Sequence, residues 1–336
     1  GPCRQGAVLK SELQRSQVES ASAVCTTLAE LHASVADARS VLADGAASFG
    51  LRLLPVGCPP VAGTPPGNQP GERRERIMAR HAGVVRDYQA CGCHVHVGVP
   101  DRDLAVRVLP YLRPWFATLL ALSVNSPFAD GRDTGFDSWR MVLQSRFPGS
   151  GAVPAAVTDA VGYDRLLDQL VTFGTLVDRQ MSFWLARPSE HLPTLELRVA
   201  DVGVSADDAV LQAGLTRALV ADALSASAAG RLPDAVPDIW VTASVWRAAR
   251  YGVADAAVDL RAGRLVPAAD AVRQLLDHVG GELEAYGDHA AVRRLAMHVL
   301  SRGSGAMRQR RLGVADRAAF VETLCLAPSF DPRPIG

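Results

Sequence analysis

The sequence predicts an α+β fold, an antiparallel sheet covered by helices, with an α-rich C-terminal third. Three observations lead there. Strand-like segments at 93–99 and 194–200 are set among stretches with helical spacing. From Asp207 onward the spacing is helical almost to the end, in segments parted by Gly or Pro. No internal repeat divides the chain. The expectation is one catalytic domain over 1–336, its sheet-forming part at about 1–203 and its helical part at about 204–330 packed on that sheet.

Taken in order, residues 7–20 read as extended and then turning. Residues 25–50 carry helical spacing through Leu28, Leu31, Val35, Ala38 and Leu42, with Gly50 as the stop. Leu51 to Val56 reads as a short strand and 57–71 as a Pro- and Gly-rich loop. A charged helix over 72–90 leads into the strand at 93–99. Then come a helix at 103–124, a polar loop at 125–147, a helix at 161–175, a strand around 180–186 and the strand at 194–200.

Composition narrows the function classes. The 336 residues are 48% hydrophobic and 21% charged, with a formal net charge of zero and the two signs mixed along the chain. That argues against a nucleic-acid or membrane surface as the main partner. Lys10 is the only lysine, so no Gly-Lys-Ser/Thr phosphate loop exists, and any ATP must be cradled another way. No apolar run reaches the roughly 18–20 residues that cross a bilayer, and no signal peptide is read at the start. Six irregularly spaced cysteines suggest reduced thiols and a cytoplasmic location. No Gly-x-Ser-x-Gly elbow supports a serine hydrolase.

Four segments could carry chemistry. In Cys93-His94-Val95-His96-Val97-Gly98, strand alternation puts His94 and His96 on one face. Two imidazoles there suit a metal or an anion, and equally a hydrogen-bonded pair at a sheet edge. A zinc site, and with it a zinc-dependent hydrolase, would need Cys91, Cys93, His94 and His96 to converge, which a regular strand forbids. In Thr194-Leu195-Glu196-Leu197-Arg198-Val199-Ala200-Asp201, Glu196 and Arg198 share a face of an otherwise apolar strand. They read either as a structural ion pair or as a Mg²⁺ carboxylate beside a phosphate-binding arginine. Glu12 and Glu19 reach one site only if the chain bends near Arg15-Ser16; otherwise they are two surface glutamates. The loop Asn125-Ser126-Pro127 to Arg140 and the turn before Arg308 and Arg310 offer arginines fit for phosphates or carboxylates, or for plain solvation.

As an ordered set these motifs resemble the type-2 glutamate–cysteine ligase family, the YbdK-like carboxylate–amine ligases. The likeness runs on through Arg250-Tyr251-Gly252 and Gly305-Ala306-Met307-Arg308-Gln309-Arg310 and covers most of the chain. The resemblance implies a glutamine-synthetase-like fold, a curved antiparallel sheet holding ATP and Mg²⁺, with Mn²⁺ as a substitute. It implies a ligase that activates a carboxylate, typically the γ-carboxylate of glutamate, as an acyl phosphate for attack by an amine. Small-molecule substrates and room for a homo-oligomer go with it. By the same resemblance Glu12, Glu19, His96 and Glu196 are metal ligands, and Arg198 clamps phosphate. Arg308 and Arg310 add cofactor contacts, Arg140 takes the amino acid's α-carboxylate, and His94 supports the site. The alternative reading is a degenerate ligase that binds nucleotide or amino acid without turnover.

Two departures stand out. The family opens with a strand of closely spaced glutamates, and nothing before Glu12 supplies it, so residues upstream of Gly1 are expected to be missing from this numbering. Gly57-Cys58-Pro59-Pro60 also replaces a Thr-His-Pro-Phe-like segment, which points to altered substrate recognition.

Overall fold

The computed structural model describes residues 3–61, 63, 67, 70–86, 88–313 and 316–325. The expected loop at 57–71 therefore lies partly outside the described residues, as does the end of the helical part beyond 325. The class is α+β, and every strand pair but one short one is antiparallel among the described residues.

The sheet that organises the molecule has three strands, with Thr194–Asp201 in the middle, Gly92–Gly98 on one side and Ala186–Pro188 on the other. Alternation decides which way it faces. Leu195, Leu197 and Val199 are buried on one face and join an apolar core that takes in side chains from Leu28 to Ala306, sheet and helices alike. The opposite face carries the polar residues. His96 and Arg187 both pair with Glu196 across the sheet. Between Cys93 and Val95 the pairing shifts, so that Arg198 and Val199 together oppose His94. This is a bulge on the middle strand.

Two long helices pack on each other, and the second of them, Ala206–Ala228, also packs on the strand Gly92–Gly98. Leu28–Ser48 starts at a capping box in which Thr27 and Glu30 each accept from the other's backbone N–H. Ala206–Ala228 starts at a second one, Ser205 with Asp208. Gly214 brings the second helix close to its neighbours: a Cβ there would stand 2.6 Å from Val292.

Several expectations need correction. Residues 51–56 form no strand, because nothing pairs with them. The helix expected over 72–90 ends at His81, and a short turn of helix, Gly83–Arg86, follows. The one expected over 103–124 is broken into Arg102–Arg107, Leu109–Leu112, a 3₁₀ turn and Phe116–Ser123. Pro110 and Pro114 remove the backbone donors a continuous helix would use. The helical third also contains a β-hairpin, Ala256–Asp259 with Arg264–Pro267, that its Ala-rich spacing conceals.

Candidate active site

The polar face of the middle strand is built around Glu196. Its carboxylate accepts from Arg187 Nε at 2.7 Å and from Arg198 Nη1, and His94 Nδ1 and His96 Nε2 lie 3.5 and 3.8 Å away. Burial alone would push this carboxyl up. The guanidiniums of Arg198 and Arg187 outweigh burial and hold it well below the usual carboxylate range. Burial and then Arg198 push His94 well below its ordinary value, and burial lowers His96 as well. Both imidazoles are therefore neutral near pH 7. Arg187 is itself anchored, donating through Nη1 to the carbonyls of Gln180 and Ser182. Arg198 keeps a buried Nε–H with no partner among the described residues.

A two-stranded hairpin, Val8–Ser11 with Val18–Ala21, stands against this face. The chain bends at Gln14–Gln17, where Gln17 N donates to the Gln14 carbonyl at 3.1 Å. The bend turns Glu12 back towards Glu19, so the two carboxyls meet. Burial pushes Glu19 up to about 7, helped by a hydrogen bond to Glu12 and by its charge, while Lys10 and Arg198 pull the other way. Gln17 ties the bend to the sheet, donating to the Ala90 carbonyl at 3.0 Å and to Cys91 Sγ at 3.3 Å. The structure thus gathers Glu12 with Glu19, and His94, His96, Glu196 and Arg198 with Arg187. No three His, Cys, Asp or Glu side chains form a ready-made ligand group among the described residues. Cys91 is engaged by Gln17 and Cys93 neighbours Arg39, so the four residues of the zinc reading do not assemble.

Three expected site arginines are engaged by the protein's own groups. Arg140 is 2% exposed and donates to the carbonyls of Arg198 (2.9 Å) and Val199 (3.3 Å), with Asp201 at 3.5 Å. Those carbonyls belong to the bulge, where the sheet ladder is interrupted, so Arg140 supplies the donors the bulge lacks. Arg310 is stapled to Asp133 (2.7 and 3.1 Å), Asp137 and the Phe136 carbonyl. Arg308 leans on Asp208 at 3.4 Å. Conversely, Arg187 was missed by sequence reasoning. The signal available was a charged residue directly before Pro188 in a short segment that pairs with Leu195–Leu197.

Three of the ordered motifs meet at Asp201, which Asn125, Ser126 and Ser138 contact directly and Gln309 reaches through Asn125. Asp201 accepts from Asn125 N (2.9 Å), Ser126 Oγ (2.7 Å) and Ser138 Oγ (2.8 Å), and Gln309 Nε2 donates to Asn125 Oδ1 (2.7 Å). This knot fixes the end of the strand whose other end carries Glu196.

Comparison with known proteins decides the family. The profile described as glutamate-cysteine ligase family 2 (GCS2) matches residues 1–323. The chain belongs to that family. A Saccharopolyspora erythraea protein provisionally named glutamate–cysteine ligase 2-2 is 50% identical over 309 residues, covering 92% of this chain and 79% of its own. A Salinispora arenicola protein with the corresponding provisional name is 42% identical, covering 92% and 81%. Among solved structures, the Pup ligase PafA in complex with ADP aligns with 95% of this chain and 68% of its own, at 15% identity and a TM-score of 0.49. Membership in glutamate–cysteine ligase family 2 makes the chain an ATP-dependent carboxylate–amine ligase. No helix among the described residues is long and apolar enough to cross a membrane.

Proposed function

We propose that this ligase activates the γ-carboxylate of glutamate, or of a close relative, as an acyl phosphate formed from ATP, and that an amine such as that of cysteine then attacks it. The observation that carries this reading is the Glu196–Arg187–Arg198 cluster facing the Glu12–Glu19 pair. Phosphoryl transfer needs positioning and charge neutralisation more than a nucleophile from the protein. In the first step a substrate carboxylate oxygen bonds to the γ-phosphorus and ADP leaves. In the second the amine nitrogen bonds to the acyl carbon, loses a proton, and phosphate leaves. Arg198 and Arg187 neutralise the oxygens of the transferring phosphoryl group. Glu196 holds both guanidiniums in place and keeps their positive charge from repelling them apart.

The residues present also suit a hard divalent cation. Glu19, pushed up to about 7 by burial and then by its neighbour Glu12, is a carboxyl whose charge a dication would stabilise. Glu12 and Glu19 would hold Mg²⁺ or Mn²⁺ from the hairpin, with Glu196 and His96 on the sheet side. When bound, the ion neutralises phosphate charge. All six cysteines are free, which supports a reducing, cytoplasmic setting. The exposed Ile239, Trp240 and Trp246 leave an apolar face for a homo-oligomer contact.

The test is ADP release from the full chain with Mg²⁺, ATP, glutamate and a panel of amines. Turnover with at least one amine is expected. No turnover with any amine, together with no nucleotide binding by calorimetry, would overturn the proposal.

A further inference from the structure

The segment that leads into the strand Gly92–Gly98 carries a tyrosine that the ligase chemistry leaves unused. Tyr88 is half-buried, and two other rings hold it. It meets Phe147 edge-on at 4.9 Å and Phe183 edge-on at 5.8 Å, and those two rings lie 4.6 Å apart. A ring packed in this way has little freedom to turn, so its hydroxyl has a fixed place.

That place borders both halves of the candidate site. Phe183 follows Ser182, whose carbonyl accepts from Arg187 Nη1 at 2.7 Å. The two residues after Tyr88 hold the hairpin bend between Glu12 and Glu19. Gln89 Oε1 accepts from Ser16 Oγ at 3.1 Å, and the Ala90 carbonyl accepts from Gln17 Nε2 at 3.0 Å. Tyr88 thus stands where the arginine cluster and the hairpin adjoin.

The hydroxyl itself is unspent. It makes no hydrogen bond among the described residues. Burial pushes it up to about 12, while the guanidiniums of Arg140 and Arg198 pull the other way. At neutral pH it is therefore an uncharged O–H donor beside two cations. The neighbouring thiols of Cys58 and Cys91 are pushed up by burial and are uncharged as well. An unspent donor set among guanidiniums suits an oxyanion; the same cations repel an ammonium group.

We propose that the Tyr88 hydroxyl binds the carboxyl group that the ligase activates, donating to the oxygen that is not phosphorylated. This assignment rests on the ligase reading, which supplies that carboxyl group. When one carboxylate oxygen bonds to phosphorus, the other becomes the acyl carbonyl oxygen. It takes up negative charge as the amine nitrogen bonds to the acyl carbon, and gives it back as the carbon–oxygen bond to phosphate breaks. A neutral donor does not compete with Arg187 and Arg198 for the phosphoryl oxygens. Its bond to the acyl oxygen strengthens as the charge grows there.

The experiment compares wild type with Tyr88→Phe, which keeps the ring and removes only the hydroxyl. Calorimetric titration of the full chain with Mg²⁺ and the β,γ-imido analogue of ATP, and then with glutamate, is paired with the ligase assay. Nucleotide-analogue binding and melting temperature should match wild type, glutamate should bind about tenfold more weakly, and kcat should fall about a hundredfold. A matching loss of nucleotide-analogue binding would mark a structural role and overturn the proposal. Unchanged kcat would overturn it too, and a raised KM on its own would put the hydroxyl on the α-carboxylate instead. If wild type turns over no amine, the ligase reading fails by itself and the titration decides this one. Weaker glutamate binding by Tyr88→Phe then sustains it, and equal binding by both forms, or none by wild type, overturns it.

Discussion

The two ends of the strand Thr194–Asp201 carry the same chemistry and put it to opposite uses. At one end Glu196 meets Arg187 and Arg198; at the other Asp201 meets Arg140. Asp201 is sealed from water and accepts from a backbone N–H and two hydroxyls, with the Arg140 guanidinium 3.5 Å away. Around Glu196 the partners keep capacity in reserve. The two histidines have open faces with side chains 32% and 35% exposed, and a second pair of carboxyls stands opposite. A carboxylate–arginine pair marks a reaction site only where its hydrogen-bonding capacity is incomplete. Where it is filled, the pair is architecture.

That contrast can be broken at either end. Arg198→Gln or Arg187→Gln should cut ligase turnover by about a thousandfold or more, since such arginines answer charge that develops in phosphoryl transfer. The melting temperature should move by only a few degrees; near-normal kcat/KM in either variant would remove these residues from the chemistry. Asp201→Ala should do the converse. Leaving Arg140 buried and unpaired costs about 3–5 kcal/mol of stability. Urea titration should show that loss, while kcat per folded molecule stays close to wild type.

A smaller effect comes from the Arg310 staple. Its hydrogen bonds hold Asp133 below the usual carboxylate range. The folded value lies below the unfolded one, so the stabilisation is complete above about pH 4 and is lost as pH falls through the folded value. The Asp133 side chain is 45% exposed, and solvent screening keeps the contribution to about 1 kcal/mol or less. Asp133→Asn should therefore lower stability slightly at pH 7 and not at pH 2. An unchanged difference at the two pH values would show that Arg310 does not depend on that carboxylate.

How much of this was legible in the sequence follows from which residues announce themselves by period. The strands bearing His94, His96, Glu196 and Arg198 were readable because alternation of apolar and polar residues leaves a mark in one dimension. The pairing of Glu12 with Glu19 was readable only as a condition, since a bend at Arg15-Ser16 is a matter of backbone geometry. The burial of Arg140 was not legible, because an arginine in a polar loop looks the same in sequence whether it ends in water or inside the fold. Arg187 escaped because a strand of three residues is too short to show a period, and its partner is fixed only by which strand it pairs with. The hairpin Ala256–Asp259 with Arg264–Pro267 was hidden by its composition.

The clamp of Arg140 on two successive carbonyls has a consequence for folding. A strand with an apolar face and a charged face has one dangerous misalignment, a slip by a single residue, which would turn Glu196 and Arg198 into the hydrocarbon interior. Hydrophobic matching alone opposes such a slip weakly near an irregular stretch of pairing. A guanidinium fitted at once to the carbonyls of Arg198 and Val199 and to the carboxylate of Asp201 accepts only one alignment. Arg140 thus acts as a register pin, fixing which way Glu196 and Arg198 face when the chain comes to rest.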